Sequence, residues 1–285
     1  MNETRKCFIM GLPNAGKTTY LAALWYSLNN ALQNTMIKLY AMEDAKYLAD
    51  LSKKWINAEK LDRTKLGYEK TNILIDIVSK NSNIFKLQFP DLSGETFQNQ
   101  YERREISNEL IENIISADGI LMFINISDVK DITFISEVPS ELIFLIEDKV
   151  KIEPITIRNP KQDDPVQVQV IELLQFVKLF KNNNPTNLGI ILSAWDLAKD
   201  LGIDSTPEEY VKKKMNMLWQ FIISNSTSFV TSFWGVSAQG GKLENEEELL
   251  NYPEPMDRII VVDNNGDIYH DITMPIYKIV GGDNV

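Results

Sequence analysis

Cysteine and histidine are nearly absent: Cys7 and His270 are the only ones in 285 residues. A single thiol excludes an intrachain disulfide and a cysteine-based zinc site within the chain. A single imidazole leaves Ser-His-Asp or Cys-His catalysis without a basis unless His270 itself serves. Positive charge is also short. The formal net charge of −11 argues against a nucleic-acid surface, because phosphate backbones demand clustered Lys and Arg. It argues equally against electrostatic docking on an anionic bilayer. No apolar run reaches the ~18–20 residues that a membrane helix requires, and the polar opening Met1–Lys6 offers no secretory signal. The expectation is a cytoplasmic protein with no nucleic-acid and no membrane partner. Hydrophobic residues at 44% and charged residues at 24% are ordinary globular values. One large α/β domain over residues 1–285 accommodates them.

Strand-like and helix-like segments alternate along the chain. Lys6–Met10 is a short apolar run ended by Gly11 and reads as a first, buried strand. Tyr20, Leu21, Leu24, Trp25 and Leu28 recur at helical spacing, which predicts a helix from Lys17 to about Leu32. Asn72–Val78 and Ile84–Phe89, separated by Ser- and Asn-rich residues, read as a hairpin. Ile106, Leu110, Ile111, Ile114 and Ile115 predict a helix over Tyr101–Ser116. Gly119–Ile126 and Asn187–Ser193 are near-continuous apolar runs, the pattern of strands buried on both faces. Thr206 as N-cap and Pro207 at the first helical position open a helix to about Ile223. Phe229–Val236 reads as the last strand of the central sheet. A mostly parallel sheet covered on both faces follows. Two regions exceed this minimum. Residues 127–186 form an insertion after the fourth core strand, with an exposed loop at Arg158–Pro165 and a helix near Val166–Lys181. Residues 256–285 form a C-terminal β-hairpin extension around Asn264-Asn265-Gly266.

Gly11-Leu12-Pro13-Asn14-Ala15-Gly16-Lys17-Thr18 matches G-x-x-x-x-G-K-[ST] in full. Its glycines let backbone N–H groups of Asn14, Ala15, Gly16, Lys17, Thr18 and Thr19 converge on phosphate oxygens. Lys17 supplies a cation for the β- and γ-phosphates, and the Thr18 hydroxyl a ligand for Mg²⁺. The helix that begins here turns its positive dipole end to the same anion.

Three further elements follow strands in order. Asp91-Leu92-Ser93-Gly94-Glu95 resembles the D-x-x-G element of GTPases, in which the Asp holds Mg²⁺ through water and the Gly N–H meets the γ-phosphate. Ser193-Ala194-Trp195-Asp196 sits where GTPases carry [NT]-K-x-D, whose Asp pairs with guanine. Asp196 fits, but Ala194 stands where the usual Lys would fall. Trp195 either stacks on the base or packs in the core. Ser237-Ala238-Gln239 resembles the S-A-[KL] element, whose backbone N–H contacts the guanine oxygen. The set resembles the translation-factor-related (TRAFAC) class of P-loop GTPases, with its Ras-like three-layer sandwich. With Tyr20-Leu21-Ala22-Ala23-Leu24-Trp25 and the closing His270-Asp271-Ile272-Thr273 and Pro275, it is most similar to the bacterial double-GTPase family. That resemblance covers most of the chain from Lys6 to Ile279. It implies GTP and GDP as ligands, a second GTPase or an effector protein as partner, and a nucleotide-dependent dimer. It also implies a setting in bacterial conflict or antiviral defence gene neighbourhoods, an association carried by no residue.

The resemblance further implies a slow GTP-hydrolysing switch. Lys17 and Mg²⁺, held by Thr18 and Asp91, neutralise phosphate charge. Glu95 takes the slot of the water-orienting Gln in Ras-like enzymes. The switch threonine falls between the first helix and the strand at Asn72. Thr64 and Thr71 are candidates; Thr64 is preferred as the metal ligand, with Arg63 beside it as an arginine finger in cis. Two other readings share the phosphate loop: a P-loop ATPase or nucleotide kinase in which Asp196 is only a loop acid, and a non-catalytic GTP-dependent scaffold or sensor.

Overall fold

The first strand, β1 (Arg5–Gly11), sets Cys7 and Ile9 on one face and Phe8 and Met10 on the other, and all four are buried. A strand apolar on both faces needs helices on both. The computed structural model describes residues 5–30, 35–42, 45–61, 73–80, 82–89, 94–132, 139, 158–182 and 184–281. Eight further strands occur there: β2 (Ile37–Ala41), β3 (Ile73–Ser79), β4 (Ile84–Phe89), β5 (Gly119–Asn125), β6 (Thr186–Ser193), β7 (Phe229–Ser237), β8 (Ile260–Val262) and β9 (Ile268–Tyr269). They join β1 in one sheet of order β2-β3-β4-β1-β5-β6-β7-β8-β9. The central run from β4 through β1, β5 and β6 to β7 is parallel. Both ends are antiparallel.

The strand period of two sorts the core into two layers. Ile9, Leu121, Phe123, Ile191 and Trp234 face α1 (Lys17–Asn29) and α2 (Lys46–Ile56). Met10, Ile120, Met122, Ile190 and Phe233 face the helices Val166–Phe180, Pro207–Lys214 and Asn216–Ser224. This is the mostly parallel sheet covered on both faces that the alternation implies, and the three-layer sandwich that the Ras-like resemblance implies.

Several boundaries differ from the sequence expectation. Phe229–Ser237 is not the last strand, because the C-terminal hairpin adds β8 and β9 to the same sheet. The turn between them carries Gly266 at φ 85, and the Gly266 N–H donates to the Asp263 carbonyl at 3.1 Å. The helix expected over Tyr101–Ser116 is two helices, α3 (Glu95–Arg103) and α4 (Asn108–Ser116). Arg104 in the left-handed region (φ 59) ends the first, and the Ser107 hydroxyl caps the second by accepting from Leu110 N at 3.2 Å. The helix after Thr206 also breaks, at buried Met215. Its second half is capped from outside, since Gln167 Oε1 accepts from Met217 N at 3.0 Å. Within the loop Arg158–Pro165, Pro160–Asp163 forms one helical turn. β2 and α2 were not foreseen at all. Among the described residues no helix is long and apolar enough to cross a membrane.

Candidate functional site: the cleft at the strand ends

Parallel strands end on one edge of the sheet, and here β1, β5, β6 and β7 do so together. Crossover helices change sides beside β1: α1 lies on one face, while the helix Val166–Phe180 leading to β6 lies on the other. Such a reversal leaves a crevice at the carboxyl ends of the strands, where ligands bind in open α/β sheets. A cleft of about 270 Å³ occupies that place. Asn14, Gly16, Thr19 and Tyr20 line it from the phosphate loop and α1. Phe123 and Asn125 line it from β5, and Ser193, Ala194, Asp196 and Leu197 from the end of β6. Val236, Ser237, Ala238, Gln239, Gly241 and Lys242 complete it from the end of β7.

The phosphate loop wraps as its composition demands. Asn14 takes φ 62 and Gly16 φ 86, with Gly16 capping α1. A Cβ on Gly16 would stand 2.8 Å from the Ser193 hydroxyl, so glycine serves there for space as well as dihedral. Lys17 is 2% exposed, and its Nζ donates to the carbonyls of Gly11 at 2.7 Å and Leu12 at 3.0 Å. The ammonium is thus held beneath the loop mouth. Two neighbouring strands tether the loop by its carbonyls: Ser193 Oγ donates to Ala15 O at 2.9 Å, and Asn125 Nδ2 to Asn14 O at 3.1 Å. Thr18 is partly exposed in the first turn of α1. Gly94 caps α3 at φ 78 and lies against the same loop, where a Cβ would stand 2.5 Å from the Leu12 carbonyl carbon. Glu95 follows it, exposed, as the first residue of α3.

At the other end of the cleft, Ser237 Oγ donates to Asp196 Oδ1 at 2.5 Å and accepts from Gly240 N at 3.0 Å. An ionised carboxylate only accepts, so the single hydroxyl hydrogen of Ser237 is committed to Oδ1. At the rim Lys242 pairs with Asp200 at 2.7 Å, and that carboxylate raises its ammonium above the ordinary lysine value. Of the two places open to Trp195, its ring occupies the core. Its ring meets Tyr210 edge-on at 5.8 Å and lies over Gly235, where a Cβ would stand 2.5 Å from the indole. It packs in the core with 8% exposure and does not line the cleft.

The structure therefore brings Asn14, Gly16, Thr19, Asp196, Ser237 and Ala238 to one cleft, with Ala15, Lys17, Thr18, Gly94 and Glu95 around the loop. Arg63, Thr64, Thr71 and Asp91 lie outside the described residues, as does most of 127–157. Among the described residues no group of three His, Cys, Asp or Glu side chains could hold a metal. The Thr18 hydroxyl still suits Mg²⁺, which takes few protein ligands and completes its shell with phosphate oxygens and water. Sequence reasoning missed Asn125. A polar residue closing the apolar run of β5 is the signal that was available for it.

A family model described as double-GTPase 1 matches residues 8–279. Among solved structures, a chain of the Chaetomium thermophilum signal recognition particle receptor SRb-GTP/SRX complex is similar at 9% identity. It covers 84% of this chain and 92% of that one, with a TM-score of 0.43. The Plasmodium falciparum putative nucleolar GTP-binding protein 1 is similar at 15% identity, covering 88% and 86%, with a TM-score of 0.38. The GTP-bound GTPase-like domain of S. cerevisiae Ski7 is similar at 14% identity, covering 88% of this chain but 46% of that one, with a TM-score of 0.39. No curated protein matches.

Proposed function

The chain belongs to the double-GTPase 1 family of TRAFAC-class P-loop GTPases, and from that premise we propose that it binds GTP with Mg²⁺ in this cleft and hydrolyses it slowly as a molecular switch. One observation carries the reading. A loop of phosphate-binding composition and a carboxylate with its partner serine converge on opposite ends of a single cleft.

In this reading the loop amides and the α1 terminus hold the β- and γ-phosphates. The Lys17 ammonium exchanges its carbonyl partners for phosphate oxygens. Asp196, oriented by Ser237, accepts from the guanine ring, and the Ala238 amide donates to the guanine oxygen. Thr18 and Asp91 are the residues that would hold Mg²⁺, with Thr64 as the switch ligand, and the ion when bound would supply neutralisation of the phosphate charge. Glu95, at the start of α3 beside the loop, orients the attacking water. Turnover without an activating arginine is on the order of 10⁻⁴ to 10⁻³ per second, and Arg63 is the candidate for one in cis. The family name supports a second GTPase as partner.

Two measurements test this together. Native mass spectrometry of the purified protein is expected to show guanine nucleotide and to report whether GTP changes the number of subunits. Calorimetry is expected to show GDP binding more tightly than ADP. Tighter ADP binding ends the guanine assignment.

A further inference from the structure

α3 reaches from the phosphate loop at one end to the insertion at the other. At its start Gly94 abuts the Leu12–Pro13 backbone with no room for a Cβ, and Glu95 follows. In its last turn the Tyr101 hydroxyl donates to the Asp164 carboxylate. Arg104, which closes the helix, pairs with Glu172 of the helix Val166–Phe180. Asp164 and Glu172 both belong to the region 127–186, outside every GTPase motif in the chain.

Asp164 is itself fixed. Arg158 grips its carboxylate, with Nε at 2.8 Å and Nη2 at 2.6 Å from one oxygen, and the Asp164 side chain keeps only 8% exposure. The Arg104 guanidinium lies over the Tyr101 ring, 5.2 Å from its centroid. Tyr101 is therefore held at its hydroxyl and across its face. The residue before it adds no such hold: Gln100 is buried, and neither of its amide atoms has a hydrogen-bond partner among the described residues. Both ends of α3 turn through the left-handed region, Gly94 at φ 78 and Arg104 at φ 59, which sets the helix off from the chain on either side. Within it, backbone hydrogen bonds make Glu95 and Tyr101 one rigid piece, about 9 Å apart along the axis. A shift at Tyr101 is thus a shift at Glu95.

We propose that Tyr101 and Asp164 are positioning residues for GTP hydrolysis, their hydrogen bond seating α3 so that Gly94 and Glu95 stand at the phosphate end of the cleft. The inference rests on the hydrolysis reading above and extends it to the insertion, which thereby holds the group that orients the water. Attack requires that water in line with the γ-phosphate, and a misplacement of about 1 Å costs up to roughly 100-fold in rate. GDP has no γ-phosphate, so a slackened α3 leaves its affinity unchanged. That asymmetry separates positioning from a purely structural bond, whose loss lowers stability without singling out the hydrolytic step.

The test is single-turnover hydrolysis of GTP with Mg²⁺, beside calorimetric titration with GDP, for wild type, Tyr101→Phe, Asp164→Asn and the double variant. Tyr101→Phe keeps the ring under Arg104 and leaves Asp164 paired with Arg158, so no buried charge is stranded. Its hydrolysis rate is expected to fall about five- to twentyfold, while GDP affinity changes less than about twofold. Asp164→Asn keeps the shape and removes the charge; it is expected to slow hydrolysis in the same direction, and it carries the test if Tyr101→Phe fails to fold. Because both act through one contact, the double variant should fall short of the product of the two effects. An unchanged rate in either folded variant, GDP affinity lost in step with the rate, or a full product in the double variant overturns the positioning role. A wild type that does not hydrolyse GTP overturns the hydrolysis reading itself and this inference with it.

Discussion

Gly235 and Trp195 offer the most direct test of how the Asp196 end of the cleft is built. Gly235, in β7, faces the indole of Trp195, and a Cβ there would stand 2.5, 2.6 and 2.7 Å from three ring atoms. The ring cannot retreat freely, since Tyr210 closes on it edge-on at 5.8 Å. Gly235→Ala therefore overpacks the core, which costs about 2 kcal/mol and lowers Tm by roughly 5 °C for a chain of this size. Trp195→Leu removes ring volume from the same place and costs about 2–3 kcal/mol. In the double variant the smaller side chain relieves the overlap, so the two penalties should fall short of their sum by at least about 1 kcal/mol. Chemical denaturation of the four proteins measures this coupling. Strict additivity refutes the packing described for Trp195. GDP titration of Trp195→Leu adds a second check. A ring stacked on the base would contribute about 1–3 kcal/mol to binding. Loss of affinity on that scale with stability intact would return Trp195 to the nucleotide.

Two further outcomes are expected. Gly94→Ala places a Cβ 2.5 Å from the Leu12 carbonyl carbon and 2.6 Å from Pro13 N, both backbone atoms that cannot rotate away. With about 1–2 kcal/mol added for the left-handed dihedral, GDP affinity should fall at least about tenfold, and a titration showing wild-type affinity would separate Gly94 from the phosphate loop. Asp164 accepts from the Tyr101 hydroxyl and from Arg158 Nε and Nη2, at 2.8 and 2.6 Å from one carboxylate oxygen. Burial pushes its carboxyl up, but the Arg158 and Tyr101 hydrogen bonds outweigh this and hold it below the ordinary value. A depressed carboxyl stabilises the fold above its unfolded pKa, and that contribution is lost as pH falls through the lower folded value. Asp164→Asn should thus cost about 1–2 kcal/mol at neutral pH and flatten the stability decline below about pH 4, as read by denaturation at pH 3 and 7.

The elements legible in the sequence are those whose signals are local. The phosphate loop, the hairpin β3–β4 and the Thr206 cap each depend on residues within a few positions. At the Thr206 cap, Glu209 N donates to the Thr206 hydroxyl at 3.3 Å to complete a capping box. Apolar strands and helical periodicity likewise record burial without needing a partner's identity. Breaks inside periodic stretches are different. Ile106 lies inside the break between Arg104 and Ser107 yet keeps a four-residue spacing to Leu110, so apolar pattern alone runs the helix back over the interruption. At Met215 the new helix is capped by Gln167, about fifty residues away, which no local window contains. α2 was available, because Leu48, Leu51, Ser52 and Trp55 are buried at helical spacing. No GTPase motif falls on that stretch, which precedes the candidate switch threonines Thr64 and Thr71.

The absence of lysine at position 194 has a structural counterpart in how the two ends of the cleft are joined. Ala194 is left-handed at φ 56 and turns the chain at once into the helical turn Trp195–Ala198, which carries Asp196 to its serine. Among the described residues no side-chain hydrogen bond runs from this turn to the phosphate loop. Instead the ends of β5 and β6 each send one short polar group to a loop carbonyl, Asn125 to Asn14 and Ser193 to Ala15. Asn125 is itself fixed, since its Oδ1 accepts from Ser127 N at 3.0 Å and Ser127 Oγ at 2.9 Å. Short side chains on strand ends lose little rotamer entropy when they bond. They also bond to backbone, so they register the loop whatever side chains stand at Pro13, Asn14 and Ala15. The two ends of the cleft are thus held in one frame by the parallel sheet, and the end after β7 also leans on α2, whose Trp55 indole N–H donates to the Ala238 carbonyl at 2.9 Å.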